Sequence, residues 1–437
     1  MSITRRLVAL ALAVLMMLSV CSFATAEEKE TITLQFWAHW ASEQRMPTIQ
    51  KICQMFNEKY ADQGIQVEYL PVSFGEIETK LINSIGNNPP AVVITAIEDV
   101  ANKAMLNIAE NIKPYLSENA EADYYATYWD MVTWNDGVYA IPFNTDNRVI
   151  YYNKTMFAEA GVSVEEIVDW ASFQAACVKL DEKLNGTGNY IASFYPTMGN
   201  FGFDTIAMAN GSNGIFDNNV NPDKPVLNSK NNVEALEFMK WFADRYGQKT
   251  VQALDAANAG GAQDLFLGGK VAMIGQTCNY LATIAKYNGE ANVDYGVFAL
   301  PAGPSANGVT GSWGGGFVCT VPYGTKHPAE ATLLAEFLAN EGGAVWGLEQ
   351  ADVMCSVYAN ESVVSPYDGW DVCVDLLPLT KGTRRHIYAG NQANSLKDDA
   401  VNAIVKNFEA TDCQAVLDEA QKKIEEAIEE EKLMFGF

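Results

Sequence analysis

Histidine and basic residues are scarce in this chain. Its 437 residues include 3 histidines, and 29 lysines and arginines stand against 54 aspartates and glutamates, which gives a net charge of −25. His39, His327 and His386 are far apart in the sequence and show none of the spacings of zinc sites. Nucleic acids and anionic membranes are bound by clusters of Lys and Arg. The composition therefore argues against a metal site and against nucleic acid as a partner.

Motifs for disulfides, phosphate binding and covalent catalysis are also missing. No C-x-x-C or G-x-S-x-G motif occurs, and Gly268-Gly-Lys270 is followed by Val271 rather than by Ser or Thr. We therefore expect no cofactor and no catalytic residue. We interpret the cysteines beyond Cys21 as small buried hydrophobic residues rather than as a disulfide framework. A Cys355–Cys373 bridge is left open as an alternative. They are Cys53, Cys177, Cys278, Cys319, Cys355, Cys373 and Cys413.

A long hydrophobic run occurs only at the start of the chain. Residues 7–20 follow Arg5-Arg6 and precede Ala24-Thr-Ala26, which is the order of a secretory signal. The run is shorter than the roughly 20 residues that span a bilayer. We predict a signal peptide at residues 1–26 and an extracytoplasmic protein, secreted or periplasmic. Leu18-Ser-Val-Cys21 also looks like a lipobox, so a lipid anchor on Cys21 is the alternative, although Val20 stands where a small residue is usual.

Strand-type and helix-type patterns alternate after the signal, which is typical of α/β layers. The predicted strands are residues 31–37, 64–70, 90–95, 271–275 and 293–300. The predicted helices are residues 42–60, 74–85, 154–160, 233–246, 328–339 and 412–430. The length of the chain indicates about two domains.

The segment from Asp136 to Gly161 is the most informative part of the chain. Two β-type runs, Val138–Phe143 and Val149–Tyr152, flank a polar Asn-Thr-Asp-Asn-Arg loop. Pro142 biases the residues before it toward extended geometry, and the helix after the second run ends at Gly161. The pattern predicts that the chain crosses here between two bodies.

Five motifs in this order together resemble the bacterial extracellular solute-binding proteins of family 1, which are maltose-binding-protein-like. They are Phe36-Trp37 followed by Ser42-Glu-Gln-Arg45, the segment 136–161, the segment 266–275, Tyr295-Gly-Val-Phe-Ala-Leu-Pro301 and Gly311-Ser-Trp-Gly-Gly-Gly316. The resemblance implies a class II periplasmic-binding-protein-like α/β fold, with three crossings between two lobes and a ligand cleft between them. It places residues 27–142 and 308–352 in the N-terminal lobe, and residues 143–307 and 353–437 in the C-terminal lobe.

The resemblance also implies a function and partners. The chain is expected to be a monomeric binding protein, not an enzyme, which closes on a carbohydrate and delivers it to an ABC-type permease. Two alternatives stay open: a secreted carbohydrate-active enzyme with two carboxylates, and a protein that presents sugar to a sensor.

The expected ligand-binding residues are aromatic platforms and planar polar groups, because a sugar ring has an apolar face and many hydroxyls. They are Trp40, Glu43, Arg45, Asp99, Asp146, Arg148, Tyr195, Gln276, Asn279, Trp313 and Arg384. Trp313 is expected to stand free among glycines, the alternative being a core position. Arg148 has the alternative of pairing with Asp146 to stiffen the crossing. Arg385 is interpreted as a surface charge.

Overall fold

The computed structural model describes residues 31–258 and 263–435, so the predicted signal peptide and Cys21 lie outside the described residues. The strands are β1 (Ile32–Ala38), β2 (Ile65–Pro71), β3 (Val92–Ala96), β4 (Thr133–Trp134), β5 (Gly137–Val138), β6 (Ile141–Thr145), β7 (Arg148–Asn153), β8 (Met273–Thr277), β9 (Tyr295–Phe298), β10 (Ser312–Trp313), β11 (Phe317–Thr320), β12 (Val353–Met354) and β13 (Thr380–Lys381).

The helices complete two α/β lobes. They are α1 (Met46–Tyr60), α2 (Phe74–Ser84), α3 (Val100–Met105), α4 (Ala126–Val132), α5 (Lys154–Ala160), α6 (Trp170–Leu184), α7 (Gly202–Ala209), α8 (Lys230–Ala257), α9 (Tyr280–Ala291), α10 (Pro328–Ala339), α11 (Glu341–Gln350), α12 (Val357–Glu361), α13 (Trp370–Leu376), α14 (Gly390–Val405) and α15 (Cys413–Phe435). Among the described residues, every helix is too short or too polar to cross a bilayer.

Each lobe is built on its own sheet. The N-terminal lobe has the strand order β12-β6-β11-β3-β1-β2, in which β1 pairs in parallel with β2 and β3, and β11 runs antiparallel between β3 and β6. The C-terminal lobe has the antiparallel order β8-β7-β9. Buried apolar side chains fill both faces, as in layered α/β proteins.

Strand pairing shows which sheet the residues around the predicted crossings join. Residues 143–145 belong to β6 of the N-terminal sheet, so the chain passes from that sheet to β7 at Asp146–Asn147, which we call the first crossing. Strand β10 lies against β7 through Ser312, so the chain returns to the N-terminal sheet at Gly314–Gly316, which we call the second crossing. Strand β12 pairs with β6 and therefore also belongs to the N-terminal sheet. Sequence patterns locate strands well, but the sheet that a strand joins depends on distant partners.

Helix α5 shows how the local sequence sets the two ends of a helix. The Asn153 side chain accepts a hydrogen bond from the Met156 amide at 3.0 Å, which caps the first turn. Gly161 ends the helix with φ of 64°, a conformation that glycine adopts without steric cost. The predicted bounds of this helix are confirmed.

All seven cysteines in the described residues are free and buried. The alternative of a Cys355–Cys373 bridge is therefore wrong, and the interpretation as small buried hydrophobic residues is confirmed. Burial raises the pKa of Cys53 to about 12, which keeps this thiol protonated and unreactive.

Candidate functional site

The first two crossings join the two sheets. The carboxyl ends of β1, β2 and β3 lie at one edge of the N-terminal sheet, together with the end of β6 and the beginning of β11. Asp146–Asn147 and Gly314–Gly316 connect this edge to the C-terminal lobe. Ligands of open α/β folds bind outside the carboxyl ends of parallel strands. The candidate site is therefore the cleft between these edges.

Arg148 and Asp146 form an ion pair at the first crossing. The Arg148 Nη1 donates to Asp146 Oδ1 at 3.0 Å and to the main-chain oxygen of Trp313 at 3.1 Å. Its Nη2 donates to Asn200 Oδ1 at 3.4 Å, and the side chain of Arg148 is only 3% exposed. The Nη1 and Nη2 donors of Arg148 are thus held by the protein, and Arg148 pairs with Asp146 as the alternative described. Asp146 keeps about a quarter of its side chain open, with 26% exposure.

Trp313 lies beside this ion pair, half-buried and at the cavity wall. Its ring is 3.9 Å from the Arg148 guanidinium carbon, in a cation–π contact, and its Nε1 donates to Thr383 Oγ1 at 3.0 Å. The structure thus places the Trp313 ring in the cleft and fixes its orientation. An oriented ring can stack on a ligand at low entropic cost.

The glycines after Trp313 allow the two crossings to approach each other. A Cβ at Gly315 would stand 3.1 Å from Asp146 Oδ1 and 3.3 Å from the Trp313 ring. Gly316 has φ of +121°, and a Cβ there would stand 2.1 Å from the Asn144 carbonyl oxygen. A side chain at either position would displace the carboxylate or the strand end.

A cavity of about 280 Å³ opens between the lobes next to Trp313. The groups that line it include Glu98 from the N-terminal lobe and Asp204, Trp313, Thr383, Arg385 and Lys397 from the C-terminal lobe. Cavities of this kind, with an aromatic wall and a few placed polar groups, are typical small-molecule sites.

Two of the cavity's three cations, Arg385 and Lys397, form ion pairs inside the protein. Arg385 Nη1 donates to both carboxylate oxygens of Asp99, at 2.9 and 3.0 Å, and its Nη2 forms an ion pair with Glu98. Burial raises the pKa of Glu98, and the Arg385 guanidinium opposes part of that shift. These contacts join the two lobes. Asp99, predicted as a ligand-binding residue, has both carboxylate oxygens bound by Arg385.

Lys397 is also paired with carboxylates. Its amine forms an ion pair with Asp204 and another with Asp398 at 3.3 Å. Burial alone would lower the pKa of Lys397, but the carboxylates of Asp204 and Asp398 outweigh it and raise that pKa. Three cations and three carboxylates line the cavity, so its formal charge is balanced.

Arg384 also bridges the lobes, but through neutral acceptors. Its Nη2 donates to the main-chain oxygens of Asp130 and Thr133 at 2.6 and 2.8 Å, and its Nη1 to Asn221 Oδ1 at 3.2 Å. Burial lowers the pKa of Arg384 to about 10. Arg384, predicted as a ligand-binding residue, also lines the cavity.

Two expected platform residues lie in the core instead. Trp40 is 2% exposed and packs on Trp346 at 4.2 Å and on Phe143 at 5.1 Å between ring centres. Tyr195 is 1% exposed, and its hydroxyl donates to the Val405 main chain. Neither ring can stack on a ligand in this arrangement. The alternation that directs side chains out of a strand ends with the strand, so the sequence could not place Trp40.

The remaining predicted residues are spread along the two edges. Glu43 is exposed and Arg45 half-buried, just before α1. Gln276 and Asn279 are half-buried at the end of β8, which pairs with the beginning of β7. Asn279 Oδ1 accepts from Thr277 Oγ1 at 2.7 Å, which leaves its amide group for other partners. These positions suit polar contacts.

Sequence reasoning missed the inter-lobe charges. The interpretation of Arg385 as a surface charge is wrong, because it is half-buried between Glu98 and Asp99. Glu98, Asp204 and Lys397 carried no local motif, and only the rarity of arginine drew attention to Arg385.

The histidines do not form a shared site. Burial, and then the charge of Arg45, lowers the pKa of His39 to about 4, so its ring is neutral at physiological pH. His386 stacks on Phe216 at 5.0 Å, within the C-terminal lobe. Within residues 31–258 and 263–435, no group of His, Cys, Asp and Glu is placed to hold a metal ion.

Comparisons with known proteins agree with this geometry. A family model described as bacterial extracellular solute-binding protein matches residues 40–345. The chain is 26% identical over 276 residues to the maltodextrin-binding protein MdxE of Bacillus subtilis, which covers 62% of this chain and 61% of that protein. The sugar-binding protein MalE from Xanthomonas citri matches with a TM-score of 0.74 and 17% identity, covering 92% of this chain and 99% of that one. The structure of CpMnBP1 with mannotriose bound matches with a TM-score of 0.73 and 20% identity, covering 90% and 100%. The two matches to solved structures confirm the predicted fold.

Proposed function

Because the chain belongs to the bacterial extracellular solute-binding proteins, we propose that it captures a neutral oligosaccharide between its lobes and delivers it to an ABC-type permease. The protein acts as a monomer outside the cytoplasm, and the ligand is released unchanged. Its relatives include a protein named for maltodextrin binding, and a protein with a similar fold has been solved with mannotriose.

The observation that carries this proposal is the oriented Trp313 ring in a charge-balanced cavity between the lobes. An aromatic face covers the apolar C–H face of a pyranose ring. The paired carboxylates and cations offer acceptors and donors to hydroxyls, which would otherwise be buried unpaired at a cost of about 1–3 kcal/mol each. Arg385 and Lys397 already have carboxylate partners, and the Nη donors of Arg384 are taken by main-chain and amide oxygens, so the protein itself uses the hydrogen-bond donors that an anion would need. The charge balance therefore favours a neutral sugar.

A thermal-shift screen tests the proposal directly. The panel contains neutral mono-, di- and oligosaccharides, including mannotriose and maltotetraose, with glucose 6-phosphate as the charged comparison. A saccharide at 100 times its dissociation constant stabilises the fold by about 2.7 kcal/mol. We expect a shift with a neutral saccharide and none with the phosphorylated sugar.

The matched variant for this screen is Trp313→Ala. Loss of its stacking face is expected to weaken the binding of the identified saccharide by more than about 1 kcal/mol, measured by calorimetry. Trp241→Ala, a half-buried tryptophan on α8 outside the cavity, is the control. If Trp313→Ala bound the saccharide with unchanged affinity, the ligand would have to bind away from Trp313. An increase in reducing ends during incubation with the sugar would show that the protein is an enzyme.

A further inference from the structure

A second aromatic surface lies at the N-terminal side of the cleft. It consists of His39, Phe74 and Phe317, which we call the aromatic shelf. The His39 ring centre is 5.1 Å from that of Phe74 and 4.8 Å from that of Phe317, and Phe74 meets Phe317 edge-on at 6.4 Å. Three rings in mutual contact form one continuous apolar surface.

The shelf stands at the edge where the strands end. His39 follows β1 directly, Phe74 begins α2 after β2, and Phe317 is the first residue of β11. Phe74 is 64% exposed, so its ring contributes little to the core. A single exposed apolar residue is ordinary, but an exposed ring supported by two others at a ligand-binding edge is a surface ready for an apolar partner.

The shelf is continuous with the site described above. Phe317 follows Gly314–Gly316 directly, and the Ile97 amide at the end of β3 donates to the Gly316 oxygen at 3.1 Å. The same glycines lie against Asp146 and Trp313. The chain thus places an aromatic platform on each side of the glycine crossing. Burial of His39 keeps its ring neutral, so the shelf carries no charge that would repel or attract an ion.

We propose that the aromatic shelf, led by Phe74, stacks on a second pyranose ring of the oligosaccharide whose first ring lies on Trp313. This inference rests on the proposed function, since it names a further ring of the same ligand. It replaces Trp40 as the N-terminal platform, because Trp40 is in the core while Phe74 is open. The shelf would then favour oligosaccharides over monosaccharides, since each platform stacks on a ring of its own.

The test compares chain lengths on matched variants. Wild type, Phe74→Ala, Phe74→Trp and Tyr323→Ala are titrated by calorimetry with linear manno- and gluco-oligosaccharides of one to four rings. Tyr323 is 48% exposed and lies beyond the opposite end of β11, so it is the control for an exposed aromatic residue. Because Phe74 is exposed, Phe74→Ala should fold, which its melting temperature confirms.

We expect Phe74→Ala to weaken binding of the preferred tri- or tetrasaccharide about five- to tenfold, the range of one aromatic contact. Phe74→Trp should restore the affinity, and Tyr323→Ala should match wild type. The loss should disappear for a monosaccharide. If Phe74→Ala bound every saccharide with the same affinity as wild type, the shelf proposal would be overturned, whether or not transport of the saccharide is impaired. An equal loss for one ring and for four rings would also overturn it. Wild type that binds none of the saccharides would instead reject the carbohydrate proposal, and the shelf with it.

Discussion

Single residues in this protein act mainly by holding others in place. Arg148 illustrates this, because its buried guanidinium joins the Asp146 carboxylate, the main chain of Trp313 and the face of the Trp313 ring. Such charge-assisted hydrogen bonds are stronger than neutral ones. A residue that looked like a sugar-binding group in the sequence thus supports Asp146 and Trp313, the residues that we propose as ligand contacts.

A second buried group, Asp352, gives a pH-dependent prediction. Its Oδ2 accepts from Trp346 Nε1 at 2.8 Å and from Asn144 Nδ2 at 2.9 Å, next to β12. Burial raises the pKa of Asp352 to about 6. The folded protein therefore takes up a proton near pH 6, whereas the unfolded chain does so only near pH 3.9. The Asp352 contribution to stability consequently increases as pH falls from about 7 to about 4.

The variant Asp352→Asn isolates this contribution, because it cannot titrate. We expect the free energy of unfolding of wild type, relative to Asp352→Asn, to increase by roughly 1–3 kcal/mol between pH 7 and pH 4. His39 acts in the opposite direction, since its pKa is lowered to about 4 and its contribution is lost as pH falls below about 6.5. His39 is present in both proteins and cancels in the difference. Urea unfolding of both proteins at several pH values measures this difference in free energy. A difference that does not change with pH would contradict the raised pKa of Asp352.

At the scale of elements, the crossings decide the geometry of the cleft. The first and second crossings touch, since the position of a Gly315 Cβ lies 3.1 Å from Asp146 Oδ1. Strands β6 and β11 pair next to this contact, with Phe317 opposite Asn144. The glycines therefore allow two strands from different parts of the chain to leave one sheet side by side.

Gly316→Ala and Gly324→Ala test this requirement as a matched pair. Both glycines have positive φ, at +121° and +78°, but only a Cβ at Gly316 would meet a backbone atom, at 2.1 Å. We expect Gly324→Ala to cost about 1 kcal/mol from its backbone conformation. Gly316→Ala should cost more than about 2 kcal/mol, because strain and a steric clash add. Urea unfolding measures both, and equal costs would show that the second crossing can relax.

At the scale of the whole molecule, two adjacent arginines join the lobes. Arg384 reaches the main chain of Asp130 and Thr133, and Arg385 reaches Glu98 and Asp99. A ligand that contacts both lobes stabilises the closed arrangement and shifts the population toward it. A shift from 1:99 to 99:1 requires about 5.5 kcal/mol of differential affinity. The arginine contacts reduce what the ligand itself must supply.

Small-angle scattering tests this prediction. We expect a saturating concentration of the cognate saccharide to reduce the radius of gyration of wild type. Arg385→Gln, which loses its inter-lobe ion pairs, should have a larger radius of gyration than wild type without ligand and should bind more weakly. The control is Arg245→Gln, because Arg245 pairs with Asp181 inside one lobe at 2.9 Å. Scattering curves that do not change on saturation would reject closure.

The sequence by itself determined part of the set of elements, in the right order. The helix at 154–160 and its Gly161 end follow from local contacts, and the polar link after Pro142 marked a crossing within a few residues. These features depend on neighbours in the chain, so local composition is enough to predict them.

Only the tertiary structure decided which side chains face the cleft. Trp40 and Trp313 both stand near strand ends, yet one packs on Trp346 and the other lines the cavity. Arg385 and Asp99 are 286 residues apart in the chain and still form the contact between lobes. The sheet that each strand joins likewise depends on partners that are distant in the chain. Such outcomes are set by packing and by charge partners that the fold brings together, and no local pattern in the sequence encodes them.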